Sequence, residues 1–150
     1  MFQDMDQPTV NPQILAERAR EALWREDFAS QALGMVVSEI APGQATLTMT
    51  VRRDMLNGFG ICHGGLLMTF ADTAMAFASN SYNEAAVAIN LSADFLASSY
   101  LGDCLTAKAC ERARTKRTGL YDVTVTNQRG ETLTLLRGRV HRTPGKFLSE

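Results

Sequence analysis

The stretch Asn57-Gly58-Phe59-Gly60-Ile61-Cys62-His63-Gly64-Gly65, followed by an apolar run holding a single acid, Asp72, concentrates residue types that can do chemistry. The run from Leu66 to Ala78 carries Leu67, Met68, Phe70, Ala71, Ala74, Met75, Ala76 and Phe77. It reads as a helix apolar nearly all round, a pattern that belongs inside a protein. A carboxylate on such a helix is expensive to desolvate unless it is paired or used. The Gly64-Gly65 pair falls at the helix start, where unpaired backbone N–H groups and the positive dipole end favour a developing anion. A base and an oxyanion site within one element are what acyl transfer requires. A structural reading of Asp72 stands beside this one: it caps a local backbone group or pairs with His63. Cys62 next to His63 invites a thiol-nucleophile reading, but sequence neighbours rarely face each other productively. Two histidines and three scattered cysteines offer no metal-ligand spacing, so no metal is expected.

These residues need elements to position them. Asn11-Pro12 starts a helix that runs to about Asp27, with Ile14, Leu15, Arg18, Leu23 and Trp24 at helical spacing. Gly34 precedes a strand from Met35 to Ala41, and Pro42-Gly43 makes a turn. Strict alternation follows: Ala45, Leu47, Met49 and Val51 face one way, and Gln44, Thr46, Thr48, Thr50 and Arg52 the other, as in a half-buried antiparallel strand. The glycine-rich loop and buried helix extend to about Asn80. Further strands are expected near 86–99, 104–117, 119–127 and 131–142, separated by Leu101-Gly102-Asp103, Thr118-Gly119 and Arg129-Gly130. Short connections favour antiparallel neighbours. One helix that cannot be wetted requires a sheet wrapped around it. The expectation is α+β: a curved antiparallel sheet of about six strands around one long central helix, which matches the hotdog architecture. Residues 1–29 form a tail and helix with a frayed start over 1–10, residues 30–143 a single domain, and residues 144–150 a C-terminal tail.

Composition narrows the function. The 150 residues carry 15 basic and 16 acidic side chains, a balance that does not suggest a dedicated nucleic-acid binder. Asp72 and several polar residues interrupt the best candidate for a membrane span. The acidic, polar start MFQDMDQPTV lacks a signal-peptide profile, and Cys62, Cys104 and Cys110 form no CxxC pair or even disulfide set. The expected location is the cytoplasm.

The segment MLNGFGICHGGLLMTFADTAMAFASN resembles the signature of the hotdog thioesterases of the phenylacetate-degradation (PaaI) branch. The resemblance runs from about Ser30-Gln31-Ala32-Leu33-Gly34 to Arg137-Gly138-Arg139-Val140-His141 and includes Asp94-Phe95-Leu96. It implies hydrolysis of an acyl-CoA, with phenylacetyl-CoA or a ring-hydroxylated derivative as substrate and no cofactor, coenzyme A being part of the substrate. By resemblance Gly64 donates its N–H to the thioester carbonyl oxygen, and Asp72 acts as general base or nucleophile. Asn57 stands near the attacking water or the carboxylate, and His63 fixes the loop and contacts the thioester region. The substrate is expected against Gly65, Phe70 and Thr73. Where some relatives carry a hydroxyl residue on the strand after the helix, this chain has Ala88, which shifts water placement onto Asn57. Two other hotdog activities fit the same outline, a dehydratase acting on hydroxyacyl thioesters and a non-catalytic acyl-CoA-binding protein.

Geometry adds a constraint that is independent of family. Gly64 and Asp72 are eight residues apart, about 12 Å of axial rise on a straight helix. A reacting carbon must lie roughly 3 Å from both nucleophile and oxyanion donor. An antiparallel partner helix would bring Asp72 of one copy beside Gly64 of another, so a homodimer with shared sites is expected, in a homotetramer as the family implies. The basic residues Arg112, Arg114 and Lys116 share one strand face at period two. They are read either as a solvated face or as contacts to coenzyme A phosphates, and Arg137 and Arg139 admit the same two readings. Tyr82 and Tyr100 read as edge-of-core aromatics.

Overall fold

Helix α1 (Pro12–Glu26) opens at Asn11, whose side-chain oxygen accepts from the Gln13 and Ile14 amides at 2.9 and 3.4 Å, with Pro12 in the first turn. The helix expected to about Asp27 ends at Glu26, and a second, short helix that the residues did not signal follows it. Asp27 leaves helical geometry and caps a second short helix, α2 (Phe28–Ala32), by accepting from the Ser30 amide at 3.2 Å. Aspartate competes with the helical backbone in this way, ending one helix and starting the next. The computed structural model describes residues 9–148; all but the last two residues of the expected frayed start lie outside that range.

Strands β1 (Val36–Ala41) and β2 (Gln44–Thr50) precede the long helix α3 (Gly64–Asn80). Then follow β3 (Ala86–Phe95), β4 (Cys104–Arg114), β5 (Thr118–Thr126) and β6 (Thr132–Arg142). All six strands form one antiparallel sheet in the order β1-β2-β4-β5-β6-β3. Helix α3 packs against every one of them, which is the hotdog arrangement. Phe70, Met75 and Phe77 are buried on it, and Ala45, Leu47, Met49 and Val51 face it from β2 and its extension, as their alternation predicts. Each large side chain so buried contributes about 1.5–3 kcal/mol. The far end of α3 is tied to β3 by Asn80, which donates to the Ala86 carbonyl and accepts from the Ala86 amide, both at 3.0 Å.

Two strands stop earlier than their apolar patterns suggest. β3 ends at Phe95 because the Leu96 and Ala97 amides both turn to the Leu133 carbonyl, at 2.8 and 3.3 Å, and Ser99 accepts from the Cys62 amide at 2.9 Å. The chain thus leaves the sheet and runs beside the loop that leads into α3. β4 ends at Arg114 after a bulge between Glu111 and Ala113. Residues 143–148 fold back on the start of β3: Thr143 donates to Ala85 at 2.8 Å and Leu148 to the Asn83 side chain at 2.9 Å.

Close approach of sheet and helix depends on Gly138, which pairs with Leu91 across β6 and β3. A Cβ there would collide with the sulfur of Met75, itself fully buried, and stand 3.0 Å from Leu91 Cδ2. Gly138→Ala should therefore destabilise the fold by about 1–3 kcal/mol, the cost of overpacking a filled core, read from urea unfolding at unchanged m-value.

Candidate active site

The loop before α3 is organised by its own side chains. Asn57 Oδ1 accepts from the Phe59 and Ile61 amides at 2.9 and 3.4 Å, and a single bridge pairs Leu56 with Cys62. The His63 amide donates to the Met55 carbonyl at 2.8 Å, fixing where the helix starts. His63 then caps α3: its Nδ1 accepts from the Gly65 amide at 2.9 Å, so the proton of the neutral ring sits on Nε2. The Leu66 and Leu67 amides both reach the His63 carbonyl, at 3.0 and 3.2 Å. Of the amides in the first turn, Gly64 N–H alone has no acceptor among the described residues. One donor is therefore left open at the positive end of a 17-residue helix.

That donor borders a pocket of about 310 Å³, with Asn57, Gly64 and Leu67 on one side and Phe95 to Ser98 on the other. The ring of Phe95 lies 3.5 Å from where a Cβ on Gly64 would stand. Asn57 thus both shapes the loop through its oxygen and lines the pocket. Gly65 and His63 border a separate cleft with Asp54 and Leu66.

Asp72 lies two helical turns along, half-buried, with no hydrogen bond or ion pair among the described residues. Burial pushes its carboxyl up from the ordinary range. It belongs to the least buried stripe of α3, Gly65-Met68-Thr69-Asp72-Ala76, which no element of the same chain covers completely. It does not border the pocket of Gly64, in keeping with the axial separation. Cys62 is buried and its thiol is pushed up by desolvation, so the thiolate that nucleophilic attack requires is disfavoured. Among the described residues no three His, Cys, Asp or Glu side chains converge as metal ligands.

Several expected contacts stand elsewhere. Phe70 is fully buried in the core and does not border the Gly64 pocket, because the helix face that carries it is turned to the sheet. Thr73 is buried, donates to the Thr69 carbonyl at 2.8 Å and lies 3.3 Å from Ser30 of α2. The common face of Arg112, Arg114 and Lys116 is broken by the bulge in β4. Arg112 reaches Asp122 at 3.5 Å, a carboxylate gripped more closely by Arg137 at 2.7 and 2.9 Å and held below the usual range mainly by that contact. Arg114 pairs with Glu84 at 3.0 Å and stacks on Tyr82, with its guanidinium carbon 3.8 Å from the ring centre. Lys116 stands past the end of β4. Ala88 pairs with Val140 on β3. Pocket residues Phe95 to Ser98 escape a reading by periodicity. Phe95 and Leu96 are signalled by the resemblance, which includes Asp94-Phe95-Leu96; for Ala97 and Ser98 the signal is that alternation lapses at Ala97-Ser98-Ser99, where the chain departs from the sheet.

Residues 59–134 match the thioesterase superfamily model, slightly more than half the chain. The acyl-coenzyme A thioesterase PaaI of Escherichia coli K12 is 44% identical over 129 residues, covering 86% of this chain and 92% of that protein. This chain belongs to the thioesterase superfamily. Among solved structures, the E. coli PaaI protein from the phenylacetic acid degradation operon superposes on this thioesterase with a TM-score of 0.89 at 42% identity, covering 91% of this chain and 99% of that one. A Streptococcus pneumoniae TIGR4 hypothetical thioesterase solved with coenzyme A gives a TM-score of 0.72 at 27% identity, over 75% of this chain and 90% of that one.

The open amide is testable without disturbing the fold. Proline suits the first helical position, and His63 already has the extended backbone (φ −61°, ψ 130°) that a following proline demands. Gly64→Pro removes the N–H and adds a ring whose Cβ stands in ordinary contact with Phe95, 3.5 Å away. It should lower kcat for thioester hydrolysis by about 10²–10³-fold, as loss of an oxyanion donor does, whereas Gly64→Ala, which adds the same Cβ and keeps the N–H, should lose far less. Circular dichroism should show unchanged helix content.

Proposed function

We propose that this thioesterase hydrolyses aryl-acyl esters of coenzyme A, phenylacetyl-CoA or a ring-hydroxylated derivative, to the free acid and coenzyme A. The observation that carries the reading is the pairing, on one helix, of an open first-turn amide at Gly64 with a half-buried carboxylate at Asp72, neither having a partner among the described residues. Gly64 N–H donates to the thioester carbonyl oxygen and stabilises the charge that develops there. Asp72 takes a proton from water as the water oxygen bonds to the carbonyl carbon. In the alternative route Asp72 attacks that carbon itself, and water hydrolyses the mixed anhydride left when the thiol departs, releasing the acid and restoring the carboxylate. The carbon–sulfur bond then breaks, and the coenzyme A sulfur leaves and is protonated. Asn57, whose oxygen is held by the loop, keeps its amide nitrogen for the water or the carboxylate. His63 positions the loop; with Nδ1 engaged by Gly65, it is poorly placed as the acid–base pair a dehydratase needs.

Gly64 and Asp72 meet across two chains. The open stripe of α3 with Asp72 at its middle supports antiparallel packing against a second copy, and the edge strand β3 exposes Val87 and Ile89 beside it. An apolar edge strand calls for a cover. The assembly is a homodimer with two shared sites, two such dimers forming a homotetramer. The three cysteines are free thiols, which suits a cytoplasmic enzyme; no helix among the described residues is long and apolar enough to cross a membrane.

Asp72→Asn should cut turnover at least about a hundredfold, the scale of a positioned acid–base group. Because burial raises the carboxyl in the folded protein, ionised Asp72 weakens the fold at neutral pH, and stability falls as pH climbs through its titration. The same Asp72→Asn change should thus raise Tm at pH 7, with the gain shrinking as pH falls and the wild-type carboxyl protonates. In the wild type, kcat/KM should fall as pH drops through a value clearly above the ordinary aspartate value of about 4. Turnover near wild type in Asp72→Asn would exclude the assignment.

Shared sites make a further expectation. Asp72→Asn and Gly64→Pro are each inactive alone, but subunit exchange creates mixed dimers with one intact site, so roughly a quarter of wild-type activity should return. No recovery after verified exchange would place both groups in one chain.

A further inference from the structure

A cavity of about 580 Å³ lies at the far end of α3 from Gly64, between the β4–β5 hairpin tip and the segment after β6. Its charged and titratable lining among the described residues is Lys116, Arg117, His141, Arg142 and Lys146, with Glu84 as the acid. In a chain of net charge −1 this is a local concentration of positive charge. Glu84 offsets only part of it, since its carboxylate is shared between Arg142 at 3.5 Å and Arg114, outside the lining, at 3.0 Å.

The cleft is built rather than incidental. Arg142 is 8% exposed and its guanidinium donates to the Thr115 and Thr118 carbonyls, clamping the hairpin tip from beneath. Thr115 closes the tip, with its Oγ1 accepting from the Thr118 amide at 3.0 Å. The opposite wall is held where Ala85 donates to the Gly145 carbonyl at 3.1 Å. Lys116 and Arg117 then stand at the tip, both exposed and with no carboxylate partner among the described residues. Their neighbours Arg112 and Arg114 are committed to Asp122 and Glu84. His141 borders the same cavity, and its Nδ1 is buried without a hydrogen-bond partner.

From this geometry we propose that the cleft is a binding site for a phosphate-bearing anion, gripped by Lys116 and Arg117 with His141 at its wall. A carboxylate needs one cation. Two adjacent cations with no carboxylate partner among the described residues match the double charge and multiple acceptor oxygens of a phosphate or diphosphate. The occupant is either the nucleotide end of a coenzyme A ester or a free phosphorylated metabolite. The proposal stands independently of the thioesterase chemistry.

Calorimetric titration of the intact protein with adenosine 3′,5′-bisphosphate, and separately with pyrophosphate, tests it. Saturable binding that weakens with salt is expected, with affinity reduced at least about tenfold in Lys116→Glu/Arg117→Glu. Arg18→Glu/Arg25→Glu on α1 makes the same change in net charge and should leave the affinity unaltered. No saturation of the wild type by about 5 mM ligand, or an equal loss in both double variants, would overturn the site. Kinetics then separate the two sources. A raised KM for the coenzyme A ester, with the pantetheine ester untouched, identifies the substrate's nucleotide. Loss of bisphosphate binding with both KM values unchanged identifies a free ligand. Hydrolysis of the pantetheine ester reports the catalytic reading on its own, so the two can fail separately.

Discussion

Everything in this molecule is arranged around a helix that water cannot be allowed to wet. Leu67, Phe70, Ala71, Ala74, Met75, Phe77 and Ala78 leave α3 only a narrow stripe of lesser burial, so a sheet has to curve around it and contact it from all six strands. That wrapping decides where small residues must stand. Gly138 lets β6 approach Met75 and Leu91, and Gly43, with φ of +73°, turns β1 into β2 where a Cβ would meet the Tyr82 hydroxyl at 2.8 Å. The energy of the fold lies in this contact, and the site occupies the two places the wrapping leaves incomplete: the start of the helix and its open stripe.

At the helix start, the accounting of backbone donors produces the chemistry. Four amides at a helix N-terminus lack intrahelical partners, and most proteins satisfy them with capping groups or water. Here the His63 ring takes Gly65 and its carbonyl takes Leu66 and Leu67, which isolates one donor facing an apolar-walled pocket. On the open stripe, Asp72 bears the opposite kind of incompleteness, a carboxylate half out of water and without a partner. A protein selected for stability alone would have replaced it with an apolar residue. Its retention on the buried helix is a cost that the proposed hydrolysis explains.

Charge elsewhere is used economically. Asp122 binds Arg137 and Arg112 on the sheet, Glu84 binds Arg114 and Arg142 past the end of α3, and Glu111 accepts from the Tyr82 and Tyr121 hydroxyls at 3.2 and 2.6 Å. Burial and the adjacent Glu111 together push the Tyr121 hydroxyl's pKa upward, so it stays a donor. Lys116 and Arg117 share their lack of a carboxylate partner among the described residues with other cations such as Arg18 and Arg139; what sets them apart is that they stand side by side over a cleft.

The elements, their order, the buried helix and its acid were legible in the residues, because amphipathic period, glycine–proline punctuation and an isolated carboxylate are local signals. The family signature from Asn57 to Asp72 was legible for the same reason: its spacing lies within one loop and one helix. Tertiary structure alone decided the rest. A one-residue bulge at Glu111/Ala113 sent Arg112 and Arg114 to different partners, although period two had put them together. The departure of β3 at Phe95 built the far wall of the Gly64 pocket from residues that read as continuing strand. Rotation of α3 against the sheet turned Phe70 inward and Asp72 toward the open stripe. Register, bulges and helix rotation are set by packing between segments far apart in the chain, and no local pattern of residues encodes them.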